Sequence, residues 1–307
     1  MKDTRQRNIR HLAAPQREPQ VIDFAGPKLL DAFQYGPMPL CVSGAFNSAK
    51  TVTLCIKLLW LMDRYPGFRV LIARRVWDEL KKTTMPSFFK FCPRSAWEPD
   101  GRRADAEKIL RLNNGSEVIW MHLEDPDALS ILRGLEINAF FFDQAEEIDE
   151  ETFTTALARL GRWDQAIVPD WEQKEFEETH HKPWPWIHEA TGKVIPPTFA
   201  LLTCNPDHEL HWIYEKFHSE SPGHTDKRFL IEKQPKRLAT GLMAEVGERV
   251  SYADLGYRMI EVSAYDNKYA TRQNLEQMES QDESWKRRFL FGKWGIPEGQ
   301  IHHVRDL

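Results

Sequence analysis

The sequence has no long hydrophobic run, no closely paired cysteines and no internal repeat. No apolar stretch approaches the roughly 18 residues that a membrane-spanning helix needs, and no apolar segment follows the first residues as in a secretory signal. The four cysteines are widely spaced without a C-x-x-C pair, which favours reduced, buried thiols over disulfides or a zinc site. We therefore expect a soluble intracellular protein that is not secreted and contacts no membrane.

An excess of charge of one sign is also missing, because the formal net charge is only −5 over 307 residues. This balance argues against a protein that binds DNA with its whole surface. The first 17 residues are nevertheless basic, with five lysines and arginines against the single acid Asp3. This arm could contact nucleic acid or an acidic partner, or it could be a solvated terminus.

Residues 44–51 are the most informative segment. They read GAFNSAKT and match the phosphate-loop pattern G-x-x-x-x-G-K-[ST], except that Ala49 replaces the second glycine. An apolar run at 39–42 precedes the loop and a helix-compatible stretch at 50–60 follows it. We expect Ala49 to be tolerated because alanine adopts helical dihedral angles well. Read alone, the octapeptide could also be an ordinary Ser/Gly loop before a helix.

The phosphate-loop pattern predicts a nucleotide site that holds ATP and Mg²⁺. Backbone N–H groups of the loop and the start of the next helix hold phosphate oxygens. Lys50 would reach the β- and γ-phosphates as a catalytic group, and the Thr51 hydroxyl would bind Mg²⁺. The predicted nucleotide-binding residues of the loop are Gly44, Ala45, Phe46, Asn47, Ser48, Ala49, Lys50 and Thr51.

Five apolar runs predict the strands of a mostly parallel sheet. They are continuous rather than alternating, which is typical of a sheet covered by helices on both faces. Helix-compatible segments such as 78–91 and 149–160 lie between several of them, in a β–α–β rhythm. We predict an α/β fold of the P-loop nucleoside-triphosphatase type (ASCE, RecA-like), with a small lid or linker subdomain. The runs are 39–42, 69–73, 117–123, 138–143 and 198–203.

We predict three parts along the chain: an N-terminal arm at 1–28, an ATPase core at 29–225, and a lid or linker region at 226–307. Within the last part, 228–233 and 259–264 favour strands and 271–292 favours a helix. Residues 162–197 interrupt the core with four tryptophans and five prolines, as in a surface insertion with its own small cluster. A metal site at the insertion's histidines, His180, His181 and His188, is the alternative interpretation, although no cysteine accompanies them.

Residues 140–147, which read FFFDQAEE, supply a second motif. An apolar strand that ends in Asp143 places a carboxylate at the carboxyl edge of the sheet, where it can hold Mg²⁺. In many such enzymes a glutamate directly follows the aspartate and polarises the attacking water, but here that position is Gln144. We therefore take Glu146 as the candidate catalytic carboxylate, with Glu147 behind it. The alternative is that both glutamates only favour the start of the following helix.

The third motif is Asn205, which follows the predicted strand 198–203 in the sequence TCNP. A strand that stops there presents a polar side chain at the same sheet edge, and the proline prevents continuation. Asn205 could contact the γ-phosphate, so that its loss on hydrolysis moves the segments that follow.

These three motifs, in this order, resemble the ATPase domain of the large terminase subunit of tailed bacteriophages, which packages DNA into procapsids. The resemblance continues through 211–217, 265–267, 287–294 and 299–301, and it covers most of 29–301. It implies ATP hydrolysis that drives double-stranded DNA into a procapsid, in the cytoplasm of the infected bacterium. It also implies a homo-oligomeric ring that contacts the portal protein and the small terminase subunit, while the isolated domain is expected to be monomeric.

The resemblance further implies an arginine that reaches the nucleotide of a neighbouring subunit. Arg133 occupies that place, shortly before the second motif, and is our candidate catalytic arginine. Arg74 and Arg75 are alternatives that would act within one subunit, and each arginine could instead form a surface ion pair. The adenine pocket is expected around Gln16 or Gln20.

Large terminases continue into an RNase H-like nuclease domain, and this sequence stops at Leu307, where that domain should begin. We therefore expect an ATPase-only chain. Two other functions remain open. A nucleotide-binding assembly module with weak or no hydrolysis would fit the departures at Ala49 and Gln144, and a helicase-like DNA motor would share the same core.

Overall fold

The computed structural model of the protein describes residues 22–97, 102–104, 108–188, 190–232, 236–238 and 243–295. Most of the predicted N-terminal arm, including Gln16 and Gln20, lies outside the described residues, as does Leu307. No helix of the described part is both long and apolar enough to cross a bilayer. All four cysteines lie in the described residues, and each is buried and free, as the sequence predicts.

Twelve strands form in the described residues, most of them in one sheet. They are β1 (Leu40–Gly44), β2 (Arg69–Arg74), β3 (Arg102–Ala104), β4 (Ile109–Arg111), β5 (Glu117–His122), β6 (Ala139–Phe142), β7 (Phe199–Cys204), β8 (Phe229–Leu230), β9 (Lys236–Arg237), β10 (Met243–Ala244), β11 (Arg249–Val250) and β12 (Arg258–Val262). Eight of them form the main sheet in the order β12-β1-β7-β6-β2-β5-β4-β3. Within this sheet the pairs from β12 to β5 are parallel, and the β5–β4 and β4–β3 pairs are antiparallel.

The α-helices are α1 (Pro27–Gln34), α2 (Lys50–Arg64), α3 (Trp77–Glu79), α4 (Met85–Phe89), α5 (Ala128–Gly134), α6 (Glu150–Leu157), α7 (Asp170–His180), α8 (Trp212–Phe217), α9 (Pro222–Thr225), α10 (Arg272–Glu279) and α11 (Glu283–Phe289). A π-helical turn, Leu80–Thr84, joins α3 to α4, and short 3₁₀ turns form at Arg94–Ala96, Ala145–Glu147 and Ala264–Asp266. The predicted helix at 78–91 is therefore three segments with a π-turn in the middle.

Apolar side chains cover both faces of the main sheet. Phe140 and Phe142 of β6 lie in one core cluster, while Phe141 between them lies in the other. This alternation requires packed elements on each side of the strand, which explains why the apolar runs of the sequence are continuous. The α/β fold of the P-loop type, with a mostly parallel sheet and helices on both faces, is confirmed.

The insertion at 162–197 differs from its prediction. It contains the acidic helix α7, and its residues Ala166, Val168 and Trp184 belong to the main core cluster rather than to a cluster of their own. The Trp184 indole N–H donates to the Ile195 carbonyl, 2.8 Å away, which removes the cost of burying that group. The insertion is therefore part of the core on one face of the sheet.

The C-terminal part of the described chain packs against the phosphate loop. β12 pairs with β1 so closely that a Cβ at Gly44 would lie 2.2 Å from the Val262 carbonyl oxygen, so only glycine fits there. Phe46 stacks on Phe289 with ring centres 4.4 Å apart, and its N–H donates to the Phe289 carbonyl. The helix predicted at 271–292 is two helices, α10 and α11, because Asp282 caps the start of the second.

Candidate active site

The three sequence motifs meet at the carboxyl edge of three neighbouring strands. β7 lies between β1 and β6, so the segment that begins at Asn205 lies between the phosphate loop and Asp143. The register aligns the strand ends, since Ser43 pairs with Cys204 and Phe142 pairs with Leu202. In open parallel sheets this edge is where ligands bind. The sequence prediction that these side chains share one edge is confirmed.

Lys50 is held inside the phosphate loop and against Asn205. Its Nζ donates to the carbonyls of Gly44, at 3.1 Å, and Ala45, at 2.9 Å, and to Asn205 Oδ1 at 3.0 Å. Burial lowers the pKa of Lys50, while the nearby carboxylates of Glu146 and Asp143 oppose that change. The Lys50 amine thus lies against the loop backbone, close enough to the Glu146 and Asp143 carboxylates to be attracted by both charges.

Ala49 has a left-handed backbone, with φ 62° and ψ 16°, at the position before α2. The expectation that it would adopt helical dihedral angles is wrong, because the loop turns through this residue before the helix begins. An alanine in this region costs about 1 kcal/mol relative to glycine, whose missing Cβ removes the clash. The loop keeps the glycine-type conformation although the glycine is replaced.

Asp143 lies within a group of three threonines, which together we call the aspartate cluster: Thr51, Thr84, Asp143 and Thr203. The Thr51 and Thr203 hydroxyls donate to Oδ1, at 2.9 and 2.5 Å, and the Thr84 hydroxyl donates to Oδ2 at 2.5 Å. Asp143 is only 4% exposed, so these donors stabilise a carboxylate that has little contact with solvent. Both oxygens of the carboxylate are fixed.

Glu146 lies in a second group, the glutamate cluster, with Asn205 and His211. The backbone N–H of Asn205 donates to Glu146 Oε1 at 3.0 Å, and its side-chain Nδ2 donates to the same atom at 2.7 Å. The other oxygen, Oε2, is buried and has no hydrogen-bond partner among the described residues. Burial raises the pKa of Glu146 to about 7, and the two N–H groups of Asn205 limit the rise.

His211 supports the glutamate cluster from the next helix. The backbone N–H of Ile213 donates to His211 Nδ1, which caps the start of α8, so Nε2 carries the proton. Nε2 lies 3.2 Å from the Glu146 carbonyl oxygen. This contact ties α8 to the turn that carries Glu146.

Gln144 stands at the position where the pattern typically has a glutamate. It has a left-handed backbone, with φ 54°, at the start of the 3₁₀ turn Ala145–Glu147. Its Oε1 atom is buried without a hydrogen-bond partner among the described residues. An amide oxygen can orient a water molecule but takes up a proton far less readily than a carboxylate.

The three candidate arginines have different environments. Arg133, near the end of α5, is exposed and forms a 3.0 Å ion pair with Glu151. Arg74 is 6% exposed, at the end of β2, where it pairs with Glu79 at 2.9 Å and donates to the Thr83 hydroxyl. Arg75 is exposed. Burial of Arg74 suits a role within one subunit, whereas the exposed Arg133 is accessible to a second molecule.

Sequence reasoning missed Thr84 and did not assign roles to Thr203 and His211. Thr203 lies in the TCNP strand end and His211 in the segment that follows it. The motif analysis therefore included both residues, although it gave neither a role. Thr84 gave no signal, because its contact with Asp143 joins residues 59 positions apart through a π-turn. The three histidines of the insertion form no metal cluster, and no group of three or more His, Cys, Asp or Glu residues suited to a metal occurs in the described parts of the chain.

The aspartate cluster nevertheless suits Mg²⁺ bound together with a nucleotide. Mg²⁺ prefers oxygen donors and is often held by one or two protein groups plus phosphates and water. The Thr51 hydroxyl and the Asp143 carboxylate are 2.9 Å apart and offer such oxygens at the mouth of the phosphate loop. The donor set therefore fits this ion without a second carboxylate.

Comparison with known proteins gives matches in structure alone. No protein-family model matches the chain, and no curated protein matches it either. The large terminase from a thermophilic bacteriophage superimposes with a TM-score of 0.60 at 13% identity, over 89% of this chain and 54% of that one. The same terminase in complex with ADP gives a TM-score of 0.58 at 13% identity, over 88% and 54%.

The large terminase ATPase domain of Thermus phage P74-26 superimposes with a TM-score of 0.50 at 12% identity, over 87% of this chain and 92% of that domain. The chain thus spans about half the length of the first terminase and nearly all of the isolated ATPase domain. The similarity lies in the fold, since so few residues are identical. This chain has the fold of the ATPase domain of bacteriophage large terminases.

Proposed function

We propose that this chain hydrolyses ATP and uses the energy to move double-stranded DNA into a viral procapsid. The observation that carries the proposal is the linkage across three adjacent strands: Asn205 bonds both Lys50 and Glu146, while Thr51 bonds Asp143. These are the groups that phosphate binding, Mg²⁺ binding and water activation require. The resemblance of the fold to a terminase solved with ADP and with ATP-γ-S supports the choice of nucleotide.

In this proposal the loop residues 44–51 cradle the phosphates and Lys50 contacts the β- and γ-phosphates. Thr51 and Asp143 would hold Mg²⁺, which would supply positive charge to neutralise the charge that develops on the phosphates. To reach the phosphates, the Lys50 amine has to leave the carbonyls of Gly44 and Ala45, and rotation of its flexible side chain would allow this movement. The partly desolvated surroundings of the amine strengthen its interaction with a phosphate.

Glu146 acts as the general base. Its free Oε2 accepts the proton of the attacking water, while Oε1 stays fixed by Asn205. A pKa of about 7 is close to the pH at which the enzyme operates, which is where general-base catalysis is most efficient. Gln144 is not required to accept a proton.

Asn205 couples the nucleotide to the rest of the chain. Its Oδ1 accepts from Lys50 and its Nδ2 donates to Glu146, so one amide joins the phosphate-binding group to the base. When Lys50 turns toward a γ-phosphate, Asn205 Oδ1 loses its donor and the Glu146 contact can change with it. Hydrolysis would reverse this change and move the segment that leads into α8.

The motor would be a homo-oligomeric ring in the host cytoplasm that contacts the portal protein and the small terminase subunit. Arg133 would complete the site of the next subunit, since its side chain is exposed and forms a surface ion pair with Glu151. The division into an arm at 1–28, a core at 29–225 and a lid or linker at 226–307 is part of the proposal, with β12 joining the last part to the main sheet.

Lys50→Ala tests the proposal most simply, with Lys90→Ala as the matched control because Lys90 is an exposed lysine that follows α4. We expect Lys50→Ala to lose about 10²-fold or more in ATP turnover, the scale of removing one electrostatic stabiliser, whereas Lys90→Ala keeps wild-type turnover. Phosphate release measured with and without double-stranded DNA is the readout. Equal turnover in Lys50→Ala and wild type would exclude this site.

A nucleotide-binding assembly module is the second candidate. The observation that favours it is the amide of Gln144 at the usual position of the catalytic carboxylate. Calorimetry with ATP, run beside phosphate release, separates the two. Tight binding without turnover, in both the isolated chain and the assembled ring, would support the module.

A further inference from the structure

Thr84 contributes to the aspartate cluster from outside the three motifs. It is completely buried, and its hydroxyl lies 2.5 Å from Asp143 Oδ2. Neither the phosphate loop nor the strand ends supply this contact. It comes from the segment between β2 and β5, on the far side of β6 from the loop.

The backbone at Thr84 has a local irregularity. Leu80–Thr84 is a π-helical turn, a rare form that occurs mostly as single turns and frequently at functional sites. The neighbouring Thr83 hydroxyl accepts from Arg74 Nη1 at 2.6 Å and lies 3.5 Å from the Thr84 hydroxyl. The π-turn thus brings two consecutive hydroxyls to the end of β2, one on a buried arginine and one on Asp143.

The donors of the aspartate cluster are divided between the two carboxylate oxygens. Thr51 and Thr203 donate to Oδ1, whereas Thr84 donates to Oδ2. Rotation of the carboxylate about its Cβ–Cγ bond would break contacts on both sides at once. With the Thr84 hydroxyl removed, Oδ2 would lose this donor in a buried position, and the carboxylate would be held by Thr51 and Thr203 on Oδ1.

We propose that Thr84 is a positioning residue for Asp143. Its hydroxyl holds Oδ2 so that Oδ1 faces Thr51, where the Mg²⁺ of a bound nucleotide would lie. This inference rests on the proposed function, because it concerns the same nucleotide site. Partners that orient a metal-binding group typically change metal affinity by about 10- to 100-fold when they are removed.

The test compares Thr84→Val, which removes the hydroxyl at constant size, with Thr84→Ser, which keeps it. The matched control is Thr152→Val, because Thr152 is also buried and its hydroxyl also donates to an aspartate, Asp149 Oδ2, at 2.9 Å, but in α6. The measurement is the affinity for a fluorescent ADP analogue with Mg²⁺ and with EDTA. Thermal unfolding without ligand confirms that each variant folds, and Thr84→Ala replaces Thr84→Val if the latter does not.

We expect Thr84→Val to lose about tenfold or more of the Mg²⁺-dependent gain in affinity, with the EDTA value unchanged. Thr84→Ser restores the gain, and Thr152→Val keeps it. An unchanged gain in Thr84→Val, or an equal loss with Mg²⁺ and with EDTA, overturns the positioning role while wild-type binding still stands. Failure of the wild-type chain to bind the analogue at all overturns the proposed function and this inference with it.

Discussion

The carboxylates of the aspartate cluster and the glutamate cluster are neighbours, but their hydrogen-bond environments are opposite. Asp143 receives three hydroxyl donors, divided between its two oxygens. Glu146 accepts two hydrogen bonds from Asn205 on one oxygen, and its other oxygen is buried without a partner among the described residues. The first arrangement fixes both oxygens of its carboxylate, whereas burial raises the pKa of the second carboxylate to about 7.

The difference matches two chemical tasks. A group that holds a metal ion has to stay ionised and fixed, so saturating it with donors is useful. A general base has to exchange a proton with water, so it needs a free lone pair and a pKa near the working pH. The unsatisfied oxygen of Glu146 lowers stability and is the kind of local cost that active sites carry.

The largest expected effect comes from removing each carboxylate in turn. Glu146→Gln should lose about 10³-fold in turnover, within the usual range for a general base, and keep Mg²⁺-dependent nucleotide binding. Asp143→Asn should lose the Mg²⁺-dependent part of nucleotide affinity as well. Phosphate release and the affinity for an ADP analogue, with and without Mg²⁺, separate the two. Identical losses of binding in both variants would remove the distinction between the clusters.

The pH dependence of turnover sharpens the comparison. Because burial raises the pKa of Glu146 to about 7, its carboxylate is mostly protonated below that pH and could not act as the proposed base. Wild-type turnover should therefore fall about tenfold for each pH unit below 7 and level off above it. Steady-state rates at saturating ATP from about pH 5.5 to about pH 8.5 provide the check. The residual activity of Glu146→Gln should lack this step, and a wild-type rate that is flat across the range would contradict the assignment.

The smallest expected effect is on stability, and its sign differs between the clusters. The folded pKa of Glu146, about 7, lies above its ordinary 4.5, so the folded state binds the proton more tightly and its stability falls as pH rises between these values. Glu146→Gln removes that penalty and should be more stable than wild type at pH 8 by up to about 3 kcal/mol. The difference should vanish at pH 4.5.

Asp143→Asn should instead destabilise the protein at pH 8 by about 1–3 kcal/mol, because three hydroxyl donors lose a charged acceptor. Urea unfolding at pH 4.5 and pH 8 measures both variants. Destabilisation by Glu146→Gln at pH 8 would show that the glutamate, like the aspartate, is held mainly for the fold.

The meeting of Lys50, Asp143 and Asn205 was predictable from the sequence, because each follows or lies next to the end of an apolar strand and parallel strands end at one edge. The conformation of Ala49 was not, since a residue's propensity for helix does not reveal that the loop requires a left-handed turn at that point. Thr84 was also not predictable, because its contact with Asp143 joins residues 59 positions apart through a π-turn. The packing of the insertion into the core was not predictable either, because it also depends on contacts between segments far apart in the chain.

The central prediction is that Glu146, and not Gln144, accepts the proton of the attacking water. Single-turnover hydrolysis of ATP by wild type, Glu146→Gln and Gln144→Ala, at equal nucleotide occupancy, tests it directly. We predict that Glu146→Gln loses about 10³-fold in the rate of the chemical step, while Gln144→Ala stays within about tenfold of wild type, as a residue that only helps to orient water. A wild-type rate in Glu146→Gln together with a large loss in Gln144→Ala would contradict the account.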